Sequence, residues 1–239
     1  MENIDTTVEK LVDWLKKQVE EAHGEGLVFG LSGGIDSAVV AALATRAFPE
    51  SSLGIIMPCY SDPIDEEHGR LVSDSFGLQV KKVDLSNTFD HLLGSIKEEN
   101  KNRLAISNLK PRLRMTTLYY FAQNNNYLVA GPSNKSEFTV GYFTKHGDSG
   151  VDLLPLASFV KSEIVELAEY LNVPDVIIKK PPTAGLWSNQ TDEEEMGFSY
   201  DVLDKYIETG KGPEELVAKI EKMNSGSQHK RVFPPIFKG

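Results

Sequence analysis

Gly30-Leu31-Ser32-Gly33-Gly34-Ile35-Asp36-Ser37 sets two adjacent glycines and two hydroxyls between the short apolar run Leu27 to Leu31 and the alanine-rich stretch Ala38 to Leu43. That order reads as strand, tight loop, helix. Unpaired amides at such a helix start, together with the positive end of its dipole, attract phosphate. Gly33 and Gly34 let the main chain curl close to an anion, and the serines add donors. An isolated Ser-Gly-Gly is also compatible with a plain turn; the whole pattern in this context points to a phosphate cradle. Neither GxxxxGK[ST] nor GxGxxG occurs in the chain, so a Walker loop and a dinucleotide fingerprint are excluded. Asp36 beside phosphates would be repelled unless a cation intervened, and Mg2+ favours one or two carboxylates plus phosphate oxygens. Asp36 is therefore expected to be a magnesium ligand.

The elements that must hold this loop alternate. Residues 4 to 22 carry Ile4, Val8, Leu11, Val12, Leu15 and Val19 at helical spacing, ended by Gly24 and Gly26. That apolar face suits either core or dimer packing. Strands are expected at 27–31, 53–58, 79–83 and 127–131, with helices at 64–76 and 104–124 between them. Short buried strands alternating with helices favour an α/β doubly wound, Rossmann-like parallel sheet flanked by helices. Open sheets of this type bind ligands beyond the carboxyl ends of their strands, so the loops starting at Leu31, Pro58, Asp84 and Gly131 should share one rim. Beyond Gly150, residues 158–171 read as a capped helix, 179–182 as an irregular segment, and 192–223 as acidic helical pieces.

The chain has 239 residues, enough for one large domain, with 40% hydrophobic and 25% charged residues, the proportions of a soluble globular protein. No stretch approaches the ~20 apolar residues that span a bilayer, and the first residues lack the pattern of a secretion signal, so a cytoplasmic location is expected. Cys59 is the one cysteine, which excludes an internal disulfide and a multi-thiolate zinc site; a small buried hydrophobe is its plain reading. The five histidines show no metal spacing. A net charge of -10 disfavours a long nucleic-acid footprint but leaves room for a small anion in a locally basic pocket.

The loop resembles that of the N-type ATP pyrophosphatases, whose fold is adenine nucleotide α-hydrolase-like and which transfer AMP to an acceptor while pyrophosphate leaves. Members differ in the acceptor, and the loop does not choose among them. The second half does. Gly131-Pro132-Ser133-Asn134-Lys135-Ser136-Glu137, the block from Gly141 to Asp148, and Asp152-Leu153-Leu154-Pro155-Leu156 together resemble the ammonia-dependent NAD synthetases, as do Lys161, Lys180 to Leu186, Asp192-Glu193 with Gly197 and Tyr200, and His229-Lys230.

The resemblance covers nearly the whole chain as one synthetase domain, with no glutaminase domain. It implies that deamido-NAD, ATP and ammonia give NAD, AMP and pyrophosphate through an adenylated nicotinate. A resting carboxylate is a poor acceptor for ammonia, whereas an acyl adenylate carries a good leaving group. The resemblance assigns Gly30, Leu31, Ser32, Gly33, Gly34, Ile35, Asp36, Ser37, Lys161 and Thr183 to ATP, and Asp36 and Glu137 to Mg2+. It assigns Arg112, Lys145, Asp152, His229 and Lys230 to deamido-NAD; Arg112 and Lys145 suit a doubly charged pyrophosphate. Lys161 and Asp152 are the expected catalytic pair. Lys161 would neutralise charge on the phosphates, and Asp152 would place ammonia, although a strand-end carboxylate capping a turn is an equal reading of Asp152. The family commonly has threonine where this chain has Pro132, which offers neither hydroxyl nor N–H; Ser133 or a backbone carbonyl is expected to substitute. Relatives are homodimers. The rival readings are another adenylating ligase, such as a tRNA-modifying enzyme, and a nucleotide-binding protein without catalysis; the acidic balance opposes the first, and the charge set of Asp36, Glu137 and Lys161 the second.

Overall fold

The computed structural model describes residues 3–97, 102–183, 185, 187 and 191–238. The first half runs α1 (Ile4–Glu21), β1 (Gly26–Gly30), α2 (Ile35–Ala47), β2 (Ser52–Ile56), α3 (Pro63–Phe76), β3 (Gln79–Lys82), α4 (Ser86–Ile96), α5 (Arg103–Ser107), α6 (Leu109–Asn125) and β4 (Tyr127–Val129). The second half is helical: α7 (Lys135–Val140), α8 (Lys161–Tyr170), α9 (Asp175–Ile178), α10 (Asp192–Met196), α11 (Tyr200–Thr209), α12 (Glu214–Gly226) and a 3-10 turn at Gln228–Lys230.

The four strands are parallel in the order β3-β2-β1-β4, with Leu27 opposite both Ser52 and Leu128. The chain thus winds outward from β1 to β3 and then returns to the other side of β1. The crevice at the carboxyl ends of β1 and β4 is the switch point where such sheets bind ligands. Strands buried on both faces read as continuous apolar runs. Along β1, Leu27 and Phe29 join one core cluster with Val39, Leu43 and Ile164, while Val28 joins Ile55, Phe89 and Leu118 on the other face. The doubly wound arrangement expected from the sequence is the one observed.

Helix α2 is buried on nearly every side, from Ala38 through Ala44, which makes it a rigid post behind the loop. α1 buries Val8, Leu15 and Val19 and packs against α2 and α8, so its apolar face belongs to the core. Gly26 opens β1 rather than serving as a helix terminator: a Cβ there would lie 2.0 Å from the Ser51 carbonyl oxygen. The helix expected over 104–124 is broken at Asn108, three residues before Pro111, which has no N–H to continue the ladder. α8 starts at Lys161 rather than Ser158, because Phe159 is held in turns and its carbonyl accepts from Lys135 N. A third cluster, Val140, Met196, Tyr200, Leu203 and Ile220, packs α7 with α10, α11 and α12. It holds the acidic C-terminal helices over the rim.

Candidate functional site

A cleft of about 870 Å3 opens at the switch point, walled by the loop after β1, the carboxyl end of β2, α6, α7 and the segment 180–183. The loop is braced from within. Ser37 Oγ donates to Gly34 O at 2.8 Å, stands 3.1 Å from Ser32 Oγ, and accepts from Ser32 N at 3.3 Å. Gly34, the N-cap of α2, has no side chain to cap that terminus, and among the described residues no side-chain cap replaces it, which leaves the first-turn amides to a ligand. Gly33 has φ +73°, and a Cβ would meet Asp65 O at 2.5 Å and His68 Cβ at 2.8 Å. Only glycine lets the loop pass under α3 in this conformation. Lys180 Nζ donates to Asp65 at 2.6 Å and to Gly33 O at 3.4 Å, tying the later segment to the same turn.

Asp36, in the first turn of α2, meets Lys161 from the start of α8. Lys161 Nζ lies 2.5 Å from Asp36 Oδ2, and Asn134 Nδ2 donates to Oδ1 at 2.9 Å. Asn134 also caps α7, accepting from Glu137 N at 2.9 Å, so one side chain orients both Asp36 and the helix that carries Glu137. Asp192 and Tyr200 complete the cluster: Tyr200 Oη donates to Asp192 Oδ2 at 3.0 Å and its ring faces Lys161 Nζ at 5.2 Å. Asp192 is 4% exposed, and its Oδ1 has no hydrogen-bond partner among the described residues.

Three carboxylates around one ammonium leave an excess of negative charge. Burial, reinforced by the Asp36 charge, raises the Glu137 carboxyl well above the ordinary range. Burial also raises Asp192, against the opposing hydrogen bond from Tyr200 and charge of Lys161. For Lys161 burial alone would lower the pKa, but Asp36 and Glu137 outweigh it and the ammonium is held. Among the described residues no three acidic or histidine side chains are arranged to cage a metal by themselves. Asp36 and Glu137 nevertheless fit Mg2+, which takes one or two carboxylates and completes its shell with phosphate oxygens and water. The mutual repulsion that raises Glu137 is what a cation would relieve.

Apart from Gly33, which turns under α3 and is off the cleft wall, the sequence-predicted residues fall into three groups. Asp36, Glu137, Lys161 and Thr183 wall the cleft together with Gly30, Leu31, Ser32, Gly34, Ile35 and Ser37. Thr183 is exposed, and its Oγ1 accepts from Gly185 N at 3.1 Å. Arg112, Lys145 and His229 form a chain of contacts: the Arg112 guanidinium donates to Lys145 O at 3.3 Å, and Lys145 Nζ donates to His229 O at 2.7 Å. Their chain neighbours Pro111, Thr144 and Lys230 wall the cleft, and Lys230 Nζ donates to the Gly141 and Phe143 carbonyls at 2.8 and 2.9 Å. Asp152 stands apart. It is exposed, accepts from Val129 N at 2.8 Å and from Tyr119 Oη at 2.9 Å, and is not on the cleft wall, although Val151 is. Its carboxylate braces the end of β4. Pro132 walls the cleft, whereas Ser133 is buried off the wall.

Arg114 and Asp148 are among the cleft residues to which sequence reasoning gave no role. Arg114 reaches from α6 to donate to Met57 O at 3.1 Å and to Ser61 Oγ at 3.3 Å, and burial lowers its pKa. Asp148 accepts from Thr144 N at 2.9 Å, and its carboxyl is raised by burial. Nothing in the sequence separates Arg114 from the other basic residues of its helix. Cys59 is fully buried, as expected. No described helix is long and apolar enough to cross a membrane.

Comparison with known proteins matches the NAD synthase family model to residues 7–234. A protein named NH(3)-dependent NAD(+) synthetase from Carboxydothermus hydrogenoformans is 52% identical over 237 residues, 98% of each chain. Among solved structures, NMN synthetase from Francisella tularensis superposes with a TM-score of 0.93 at 34% identity, covering 98% of this chain and 99% of that one. NH3-dependent NAD synthetase from Campylobacter jejuni superposes with a TM-score of 0.82 at 31% identity, covering 99% of both chains.

Proposed function

The chain belongs to the NAD synthase family, and from that premise we propose that it amidates deamido-NAD with ammonia at the expense of ATP, giving NAD, AMP and pyrophosphate. The observation that carries this reading is the buried Asp36–Lys161 pair, set at 2.5 Å directly behind the glycine-rich loop with Glu137 facing it. Simple adenine-nucleotide binding needs no such charge set; moving charge between phosphates does.

The residues divide the work. The amides at the start of α2, with Ser32 and Ser37, receive the β- and γ-phosphates, and Lys161 neutralises charge that grows on the α-phosphoryl group and the departing pyrophosphate. Asp36 and Glu137 would hold Mg2+, which supplies charge neutralisation between carboxylates and phosphate oxygens. Thr183 adds a hydroxyl on the segment that Lys180 ties to the loop. A nicotinate carboxylate oxygen attacks the α-phosphorus, the bond to the β-phosphate breaks, and pyrophosphate leaves. Ammonia then attacks the acyl carbon and AMP departs with the former carboxylate oxygen. Arg112, Lys145, His229 and Lys230 hold the dinucleotide, and Asp152 accepts hydrogen bonds from ammonia or the new amide. Positioning and electrostatic stabilisation of this kind contribute several kcal/mol each.

This assignment extends to one synthetase domain acting in the cytoplasm as a homodimer, with free ammonia or a separate partner as the nitrogen source. Sedimentation of the active enzyme as a stable monomer would remove the dimer from it. The test of the reaction is product analysis with ATP, Mg2+, ammonium and deamido-NAD: NAD, AMP and pyrophosphate should appear in equal amounts, and pyrophosphate release that ignores deamido-NAD would contradict the assigned acceptor. A parallel arm with nicotinate mononucleotide is warranted, because the same chemistry on that carboxyl would give NMN, the product in the name of the Francisella protein. Faster turnover of the mononucleotide would reassign the substrate while leaving the reaction class intact.

A further inference from the structure

α8 begins at Lys161 behind Val160, a residue with no side-chain acceptor for the helix's first amides. Those amides are orphan donors that need partners from elsewhere. Two arrive from other helices. Ser136 Oγ, on α7, accepts from Lys161 N at 3.0 Å, and Asp204 Oδ2, on α11, accepts from Ser162 N at 2.8 Å. The two donors' partners are themselves joined: Ser136 Oγ donates to Asp204 Oδ1 at 2.5 Å. The junction is buried, with Ser136 at 0%, Asp204 at 5% and Lys161 at 6% exposure. Ser136 directly precedes Glu137, and Lys161 directly precedes Ser162.

We infer that Asp204 is a positioning residue for the proposed reaction, fixing the main chain under Lys161 and Glu137 so that both side chains meet Asp36 in one register. Asp204 is not on the cleft wall; its two oxygens lock α7 to α8. A carboxylate suits the task twice over, because it accepts on both oxygens and because negative charge is favourable at a helix N-terminus. No neutral isostere can do both. In asparagine Oδ1 can still accept from Ser162 N, but Nδ2 can then only donate to Ser136 Oγ, so the hydroxyl must turn its hydrogen away and loses its acceptor on this side chain. The inference rests on the proposed synthetase reading, and a displacement of about 1 Å in groups held this way costs on the order of a hundredfold in rate.

The experiment compares Asp204→Asn and Ser136→Ala with wild type by steady-state kinetics, thermal melting and the carbon-13 resonance of Lys161 Cε. Asp204→Asn should lower kcat about 10- to 100-fold while the KM for deamido-NAD, whose proposed contacts lie on other elements, stays within about twofold. Ser136→Ala leaves the Asp204–Ser162 bond in place and should fall between the two. The Lys161 resonance should shift in Asp204→Asn, since it reports the ammonium's surroundings whether or not the protein turns over. A folded Asp204→Asn protein with wild-type kcat and an unmoved Lys161 resonance would overturn the inference. Should Asp204→Asn fail to fold, wild-type kcat in Ser136→Ala overturns it instead. A wild-type protein that makes no NAD or NMN sinks the proposed reaction rather than the positioning role, which the resonance still reads.

Discussion

Replacing Lys161 with methionine keeps most of the stem and removes the ammonium that faces Asp36. The side chains of this pair are 8% and 17% exposed, so the change leaves a carboxylate in a poorly hydrated site with no counter-charge. Breaking a buried pair from one side costs about 3–5 kcal/mol. The neighbours amplify the effect with pH. Burial already raises the Glu137 and Asp192 carboxyls, and Lys161 partly opposes both shifts. Without it, both should rise further. A carboxyl whose folded pKa exceeds its unfolded value gives the native state the extra proton, so stability is greatest below the unfolded value and falls as pH rises through the folded one. The variant should therefore lose more at pH 8 than at pH 5. For a domain of this size 1 kcal/mol moves the melting midpoint by about 2–4 °C, so the loss at pH 8 should be about 6–20 °C. Circular dichroism melts of both proteins at the two pH values measure it. Equal losses at pH 5 and pH 8, or a higher midpoint for the variant at pH 8, would refute the charge argument. Turnover of the variant should fall about 10²- to 10³-fold, as for loss of one transition-state donor.

Gly33→Ala should cost about 1–3 kcal/mol through its left-handed backbone and raise the KM for ATP, read by melting and by substrate titration; unchanged ATP affinity would detach the loop from the phosphates. Asp152→Ala should leave the single-turnover pyrophosphate burst while slowing NAD formation, and equal loss of both steps would reduce Asp152 to its contacts with Val129 and Tyr119. Chelation with EDTA should abolish pyrophosphate release, and Mg2+ should restore it in wild type but not in Asp36→Ala.

The loop and the strands were legible because each rests on a local signal, whereas Lys161 came to Asp36 only through the family resemblance and nothing local pointed to Asn134 as its other partner. Paired glycines after an apolar run announce a close turn before a helix, and the run itself marks a doubly buried strand. What the sequence hid is long-range. Arg114 is one basic side chain in a helix, and only the fold aims it at Met57 and Ser61. Asp204 lies on an acidic helix among similar residues, and its role exists only where α7, α8 and α11 meet. Helix α4 was missed between the third strand and residue 104, and the break at Asn108 follows from a proline whose effect reaches back along the helix. Asp152 carries the opposite lesson. Its position in the 152–156 block points to chemistry, while the alternative expected a strand-end carboxylate capping a turn; its hydrogen bonds go instead to the end of β4 at Val129 and to Tyr119.

In the proposed reaction the nicotinate carboxylate attacks the α-phosphorus, and the β- and γ-phosphates leave together from the loop after β1. Deamido-NAD labelled with oxygen-18 in the nicotinate carboxyl tests it directly when the products of a single incubation are separated and weighed by mass spectrometry. One labelled oxygen should appear in AMP and none in pyrophosphate. Label in inorganic phosphate, or AMP free of label while NAD accumulates, would contradict the account.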